Sequence, residues 1–439
     1  MKRSLLSSRL PALALIAAYG AAASPVTAQA TSPTTGSSAG ETPGQAAAEA
    51  PGPVSAPGAA SKTRTTTYAE ATLSGGYSSN PSLRAVTRSS AFGRASLMGY
   101  RVWNGDRGRT TVTGYVENTT YLRGGYGSTQ IFRLSARTDQ AVSEKLRVFA
   151  SLAANGDISG QLENRFTGPP GEPPPVINPD VVNLIGRQYL ISGQAGASVT
   201  LSPLSSMSLS GGARHAFFTG GNKTADYTTY QASLGYGHQL SEITSLGANI
   251  GLQRQVYTGS DYSDSVNVAA TFGTKFAEDI SANGSVGVLA IYVHRAGLSD
   301  HSYSPSFSGS VCKFGERTQY CAAVSRTAAA PLAVRGAANF PRSAAITTNF
   351  SLSYSRVLGE KQTMRAQLTG TDSSTVRLAN EGKFHTTYVT GLVSYDRRVG
   401  NRLYAGIAVG ARRLFQTGPD PKTDYNGNFY LRYRLGDVL

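Results

Sequence analysis

The chain has 439 residues, of which 15% are charged, and it contains 49 glycines and 23 tyrosines. This composition, in which Leu, Ile and Val are thinly spread, suits β-strands better than a helical core. No run of about eighteen apolar residues follows the N-terminal segment, which excludes a membrane-spanning helix in the rest of the chain. The net charge of +15 is compatible with nucleic acid, an anionic membrane surface or an anion path. Because the arginines are dispersed rather than clustered with stacking aromatic residues, we expect no nucleic-acid partner.

Residues 1–30 are predicted to be a secretory signal peptide, with a cut after Ala23 as an alternative to one after Ala30. A basic start leads into the apolar stretch Leu10 to Tyr19, and Ala28-Gln29-Ala30 has the small-x-small pattern that a signal peptidase accepts. Since the first 30 residues hold three cations and no acid, the mature net charge is 15 − 3 = +12. Residues 31–66 are rich in Ala, Gly, Pro, Ser and Thr, which predicts a disordered periplasmic tail.

From Thr67 onward, apolar and polar side chains alternate along short segments, as they do on strands whose two faces meet different surroundings. In the last segment, Phe429, Leu431, Tyr433 and Leu435 alternate with Tyr430, Arg432 and Arg434. A barrel with lipid outside and water inside requires this pattern on every strand. The sequence therefore predicts an all-β fold over residues 67–439, a transmembrane antiparallel β-barrel of about eighteen strands in an up-and-down meander. Segments 92–103 and 286–293 are apolar on both faces, which leaves their register open.

The predicted connections alternate between short turns and longer polar loops, as in outer-membrane barrels, where turns face the periplasm and loops face outside. The turns lie near residues 104–108, 143–145, 203–206, 241–243, 278–279, 315–318, 358–360 and 400–401. The loops lie near residues 79–90, 157–183, 330–344, 373–383 and 416–425. With an even number of strands, both chain ends are expected on the periplasmic side.

The two cysteines lie symmetrically about a predicted turn. Cys312 and Cys321 flank residues 315–318, so we expect them to be opposed residues of one hairpin with their side chains in the lumen. An exported chain reaches an oxidising compartment, which favours a disulfide over the alternative of two free thiols. The pair offers too few ligands for a metal site, and we expect neither metal nor cofactor.

Basic residues dominate the faces that are predicted to point inward. The pore-lining candidates are Arg133, Arg137, Arg147, Arg214, Lys275, Arg365, Arg412, Arg432 and Arg434. Fewer acids share these faces, namely Glu70, Glu117, Asp139 and Asp396. Rings of arginine favour anion passage through a narrow pore. Alternatively, these arginines pair with the acids across strands and fill a closed lumen.

The loop from Asp157 to Asn183 is the third outer loop in this count. It carries Glu163, Glu172 and Asp180 around the proline-rich run 168–175, which polyproline geometry stiffens. In general porins the third outer loop folds into the pore, so these acids are candidates for a constriction facing the basic wall. A proline-rich cap on the outer surface is the alternative.

Catalytic residues have little support in the sequence. The five histidines are scattered, and Asp300-His301-Ser302 are adjacent along the chain, which says nothing about a triad assembled in space. A barrel hydrolase would place such residues near the outer rim. We expect that the protein is not an enzyme.

The segment Leu73 to Pro81, Leu-Ser-Gly-Gly-Tyr-Ser-Ser-Asn-Pro, resembles the end of the first strand in the β-barrel porin type 2 family of Gram-negative outer membranes. The resemblance implies a porin, and in some members an association with exopolysaccharide export. We therefore expect an outer-membrane channel for small polar or anionic solutes. The competing interpretation is a closed, adhesin-like barrel that acts through its outer loops. The expected partners are outer-membrane lipid and lipopolysaccharide, the barrel assembly machinery, and polysaccharide or anionic solutes.

Overall fold

The computed structural model describes residues 64–81, 83, 88–123, 128–157, 187–219, 223–224, 226–257, 261–295, 298–329, 334–335, 345–376, 385–417 and 420–435. Within these ranges no helix is long and apolar enough to cross a membrane. The predicted signal peptide and tail, residues 1–30 and 31–66, lie outside the described residues up to residue 63.

Twenty strands follow one another along the described chain. They are β1 Arg64–Ser78, β2 Ser90–Gly105, β3 Gly108–Tyr121, β4 Ser128–Ala141, β5 Leu146–Asp157, β6 Arg187–Ser202, β7 Ser205–Thr219, β8 Lys223–Thr224, β9 Tyr227–Gln239, β10 Thr244–Tyr257, β11 Tyr262–Ala277, β12 Ile280–Arg295, β13 Leu298–Phe314, β14 Thr318–Ala329, β15 Val334–Arg335, β16 Ala345–Gly359, β17 Gln362–Thr375, β18 His385–Arg398, β19 Leu403–Gln416 and β20 Lys422–Arg434. Two of them, β8 and β15, are two-residue strands that pair with each other between two loops.

The other eighteen strands form one closed antiparallel sheet. Each pairs with its neighbours along the chain, and β1 pairs with β20 from Glu70↔Arg434 to Ser78↔Asn426, which closes the barrel. The structure thus confirms the predicted eighteen-stranded meander. Closure removes the free edges that an open sheet would expose.

The two faces of the wall differ in the sense that the sequence predicts. On β20, Phe429 and Leu431 expose 51% and 42% of their surface, whereas Tyr430 and Arg432 expose 7% and 4%. Exposed aliphatic side chains recur on the outer face of the other strands, for example Leu152 on β5 and Val268 on β11. Polar and charged side chains lie on the enclosed face, which is the reverse of a soluble protein.

The connections fall into two groups at opposite ends of the barrel. Eight turns of two to four residues lie at the end that holds both Arg64 and Arg434, which we call the turn end, and each coincides with a predicted short turn. The opposite end, called the loop end, carries the longer connections and also two short ones, residues 258–261 and 296–297. Strand β1 begins three residues before the predicted Thr67, and β20 begins at Lys422, inside the predicted loop 416–425.

The wall is irregular between β13 and β14. These strands pair over eight residues, from Phe307↔Arg326 to Phe314↔Gln319, whereas β12 and β13 pair over sixteen. Pro305 lies just beyond the last pair and has no N–H to donate. Beyond this point, Ala328 of β14 packs in a buried cluster with Leu289, Ile291 and Val293 of β12.

These β12 side chains point into the lumen, because their opposed residues on β11 and β13 do so. This explains why segment 286–293 is apolar on both faces: Val286 and Val288 face outward, whereas Leu289, Ile291 and Val293 hold the overlapping end of β14. Arg326 bridges the joint, with Nε 3.3 Å from Ser304 Oγ and Nη1 3.1 Å from Thr348 Oγ1.

Candidate functional site: the inner wall of the barrel

The strand register places all nine predicted pore-lining cations on the enclosed face. They come from the strand pairs around β4–β5, β7, β11, β17 and β19–β20. Their surroundings differ, however. Some are buried among carboxylates, and others face the lumen without an acidic partner among the described residues.

One group is buried near the turn end, where β20 meets β1. This seam cluster consists of Glu70, Asp396, Arg365, Arg432 and Arg434. Asp396 Oδ2 accepts a hydrogen bond from Arg365 Nη1 at 2.7 Å, and its Oδ1 lies 3.3 Å from Arg432 Nη2. Glu70 Oε2 lies 3.8 Å from the Nε atoms of both Arg432 and Arg434. Asp396, Glu70 and Arg432 are at most 5% exposed, so opposite charges here stabilise one another in place of water.

Tyrosines complete the seam cluster. Tyr430 donates to Asp396 Oδ1 at 2.5 Å, and Tyr68 donates to Glu70. Gly406 on β19 lies between Asp396 on β18 and Tyr430 on β20, its opposed residues on the two neighbouring strands. A Cβ at Gly406 would overlap the phenol ring of Tyr430. Glycine at this position therefore allows Tyr430 to reach across one strand. The Arg432 and Arg434 guanidinium carbons lie 4.8 and 4.2 Å from the ring centroid of Tyr404, a cation–π arrangement.

A second buried pair joins β2 and β3. Arg94 Nε lies 3.6 Å from Glu117 Oε1 and donates to Thr119 Oγ1 at 3.0 Å, and Tyr115 donates to the same carboxylate. The alternation of side chains predicts Glu117 on the inward face but does not identify Arg94, because segment 92–103 has apolar residues on both faces. In the structure Phe92, Arg94 and Met98 share the enclosed face.

A third buried pair lies near the loop end and holds residues 79–81, the start of the first loop, which connects β1 to β2. Asp424 and Arg412 are opposed on β20 and β19, with Arg412 Nε 2.9 Å from Asp424 Oδ2, and they are 0% and 4% exposed. The other oxygen of Asp424 accepts from Ser78 Oγ, from Ser79 Oγ and from the backbone N–H of Asn80, at 2.7, 3.1 and 2.7 Å. Arg412 also donates to the carbonyl oxygen of Pro81.

The first loop thus turns into the lumen. Leu83 is fully buried against Tyr388 of β18 and Leu414 of β19, which lie three and two strands away from β1. Its backbone φ of 48° is in the left-handed region, which a non-glycine residue adopts only when its surroundings impose it. Arg412, one of the predicted pore-lining cations, is neutralised by Asp424, a residue of β20 that lies inside the predicted loop 416–425.

The remaining cations form what we call the basic wall: Arg133 and Arg137 on β4, Arg147 on β5 and Arg214 on β7. Arg137 pairs with Asp139 at 3.0 Å, and both side chains are at least half exposed. In the described part of the chain no carboxylate contacts Arg133, Arg147 or Arg214, and the buried Nε of Arg214 has no hydrogen-bond partner. Lys275 lies apart from this wall, exposed at the turn end opposite Ser281.

Next to the basic wall, small polar side chains recur on the enclosed face from β6 to β13, apart from the apolar cluster of β12 described above. Ser210 and Ser233 hydrogen-bond at 2.7 Å, Ser285 and Ser308 at 2.8 Å, and Ser306 donates to Asn267 at 2.6 Å. Such side chains satisfy one another along the wall and extend little into the lumen. The barrel interior therefore has one crowded side, from β17 through β1 to β3, and one hydrophilic side with unpaired positive charge.

Two further predictions concern residues at the loop end. Glu163, Glu172 and Asp180, the predicted constriction acids, lie outside the described residues. His301 lies on the opposite strand face from Asp300 and Ser302, because neighbouring residues on a strand point to opposite sides. Among the described residues, no group of three or more His, Cys, Asp or Glu side chains could hold a metal ion.

Cys312 and Cys321 are directly opposed on β13 and β14 and form a disulfide, with an S–S distance of 2.08 Å. The bond lies at the turn end of the shortest ladder in the wall. Replacing both cysteines with serine is expected to destabilise the barrel by about 2–3 kcal/mol, the loop-closure value for so short a loop. This loss of stability is measured as a lower midpoint of urea unfolding in the double serine variant than in the oxidised wild type. Equal midpoints would show that the ladder alone holds the hairpin.

Comparisons with known proteins find similar barrels among solved structures. Pseudomonas aeruginosa OpdK, solved with vanillate, is 9% identical, with 84% of this chain and 99% of that chain covered and a TM-score of 0.44. Pseudomonas aeruginosa OpdQ is 8% identical, with coverage of 85% and 98% and a TM-score of 0.43. The copper transporter OprC is 9% identical, with coverage of 84% and 80% and a TM-score of 0.44. No family model and no curated protein sequence matches the chain. At such identities and TM-scores, the similarity identifies neither a family nor a solute.

Proposed function

We propose that this protein is an outer-membrane channel for small polar solutes that prefers anions. The observation that carries the proposal is a closed eighteen-stranded barrel, apolar outside, whose enclosed face carries the basic wall beside a lining of serine, threonine and asparagine. Barrels of 16–18 strands are wide enough to leave an aqueous channel. Arginines that lack acidic partners attract anions, because low-dielectric walls focus their field along the channel.

The apolar outer face and the division into turns and loops support the remaining parts of the proposal. The host membrane is the outer membrane of a Gram-negative bacterium, with the turn end and the N-terminal tail in the periplasm. The outer face contacts lipid and lipopolysaccharide, and the assembly machinery inserts the barrel. The finer assignment to the porin type 2 family depends on Leu73 to Pro81. No observation on the described inner wall favours polysaccharide export over passage of small solutes.

The competing function is a closed barrel that binds partners through its loops. The seam cluster and the inward-folded first loop favour it, because both fill lumen space. Conductance separates the two functions, since a filled barrel passes no ions.

The experiment is swelling of liposomes that contain the full mature chain. We expect faster entry of a small sugar acid such as gluconate than of an amino sugar of similar size such as glucosamine. Lowering the ionic strength from 0.1 M should increase the difference, because the screening length of about 10 Å at that concentration then grows. Absence of swelling with either solute would contradict the channel. Equal or reversed rates would contradict the anion preference.

A further inference from the structure

We infer that Ser79, Asn80, Pro81 and Leu83 of the first loop form the constriction at the loop end, and that Asp424 is the positioning residue that holds them there. The inference deepens the proposed channel function and depends on it. It assigns the narrowing of the lumen to the first loop, whereas the sequence analysis assigned it to the third.

The first support is where the loop goes. From Ser78 at the end of β1, the chain does not continue away from the barrel. Instead it crosses the lumen side of β20, so that Leu83 packs on Tyr388 and Leu414, an opposed pair on the enclosed face of β18 and β19. Leu83, Asn80 and Pro81 are almost completely buried. Backbone that lies on the inner wall necessarily reduces the cross-section available to a solute.

The second support is that one oxygen of Asp424 binds the end of β1 and the start of this loop. One of its oxygens accepts three hydrogen bonds from Ser78, Ser79 and Asn80, while the other pairs with Arg412. Arg412 in turn donates to Pro81. A carboxylate and a guanidinium that are both buried are costly unless each is paired and hydrogen-bonded. Here the loop backbone supplies the remaining partners, so the ion pair and the loop stabilise one another.

The third support is a set of backbone hydrogen bonds that holds Leu83 against the inner face of β18 and β19. Leu83 N–H donates to Asn80 O at 3.0 Å, and Leu83 itself adopts a left-handed backbone. Ser79 N–H also donates to Tyr425 O at 2.9 Å, which extends the β1–β20 pairing into the loop. The loop is therefore fixed by backbone contacts as well as by the charged pair.

The test compares single-channel conductance of the wild type with that of Asp424→Ala in planar bilayers. We expect conductance to rise about twofold and larger oligosaccharides to enter liposomes, since the barrel without the loop has the width of a 16–18-stranded porin. The matched control is Asp264→Ala. Asp264 also pairs with an arginine, Arg254 Nε at 2.7 Å, near the loop end, but on the outer face with both side chains partly exposed. The control should leave conductance and solute cut-off unchanged.

A disulfide crosslink between the first loop and the inner wall tests whether release of the loop causes the change in conductance. The native cysteines are bonded to each other, so Leu83→Cys with Leu414→Cys adds the only free thiols. Oxidation should join them, and in the Asp424→Ala background the crosslink should return conductance to the wild-type value. Heat-modifiable migration on gels establishes that each variant is folded, and Asp424→Asn, which keeps the side-chain shape, replaces Asp424→Ala if the latter does not fold.

The outcomes separate the inference from the proposed function. A conducting wild type whose conductance and cut-off do not change in folded Asp424→Ala or Asp424→Asn overturns the constriction alone. Failure of the thiols to crosslink also overturns it. Absence of conductance in both wild type and variants overturns the channel function and the constriction together.

Discussion

Replacing Arg133 and Arg214 with glutamate is expected to convert an anion-preferring conductance into a cation-preferring one. Both side chains lie on the enclosed face, and no described carboxylate neutralises either. The double substitution changes the local charge by four units. The interaction between two unit charges 4 Å apart, such as a wall charge and a passing ion, is about 1 kcal/mol even in water. We therefore expect the anion-to-cation permeability ratio to fall by about tenfold or more.

The measurement is the reversal potential under a salt gradient at low ionic strength, where screening is weak. Arg356→Glu is the control, because Arg356 shares the outer face of β16 with Tyr354, and the substitution makes the same two-unit change of charge per residue away from the lumen. A reversal potential that is unchanged in the double variant would show that ions do not pass the basic wall. A shift of equal size in the control would show that surface charge, rather than lumen charge, sets the preference.

Removing the carboxylate of Asp396 is expected to destabilise the barrel strongly. Asp396→Ala leaves Arg365, Arg432 and the hydroxyl of Tyr430 without their shared acceptor. Arg432 is 4% exposed, so water cannot replace the lost partner. Breaking one side of a buried pair typically costs about 3–5 kcal/mol.

Urea unfolding in detergent or vesicles measures this loss. The matched control is Asp139→Ala, which breaks the pair with Arg137, whose side chains are 50% and 59% exposed. Such exposed pairs contribute about 0–1 kcal/mol, so the control should unfold close to the wild type. Equal unfolding midpoints for Asp396→Ala and wild type would contradict the structural role of the seam cluster.

The fold was predictable because membrane barrels repeat a two-residue pattern. Each strand with one apolar and one polar face, such as β20, fixes its own orientation, and the short turns fix the order of pairing. Strands β2 and β12 were not predictable in this way. Their lumen faces carry apolar residues because the barrel interior has local packing that alternation does not reveal. These residues are Phe92 and Met98 on β2, and Leu289, Ile291 and Val293 on β12.

The candidate site was predictable in position but not in electrostatic state. Alternation places Arg412 and Arg432 on the enclosed face, but it does not show that distant acids pair with them. Asp424 would have been found by extending the alternation of β20 backward from Phe429 through Tyr425, since Asp424, Asn426 and Asn428 continue the lumen-facing series. The path of the first loop had no such signal, because it depends on contacts between residues more than 300 positions apart.

The central claim is that neighbouring side chains on each strand face an aqueous lumen and lipid in turn. Cysteine scanning of residues 191–198 on β6, in vesicles and with a membrane-impermeant thiol reagent, tests it most directly. We predict rapid labelling at positions 192, 194, 196 and 198, whose opposed residues on β7 share the face of Arg214, and little at 191, 193, 195 and 197. Labelling without this period of two, or labelling confined to the odd positions, would contradict the account.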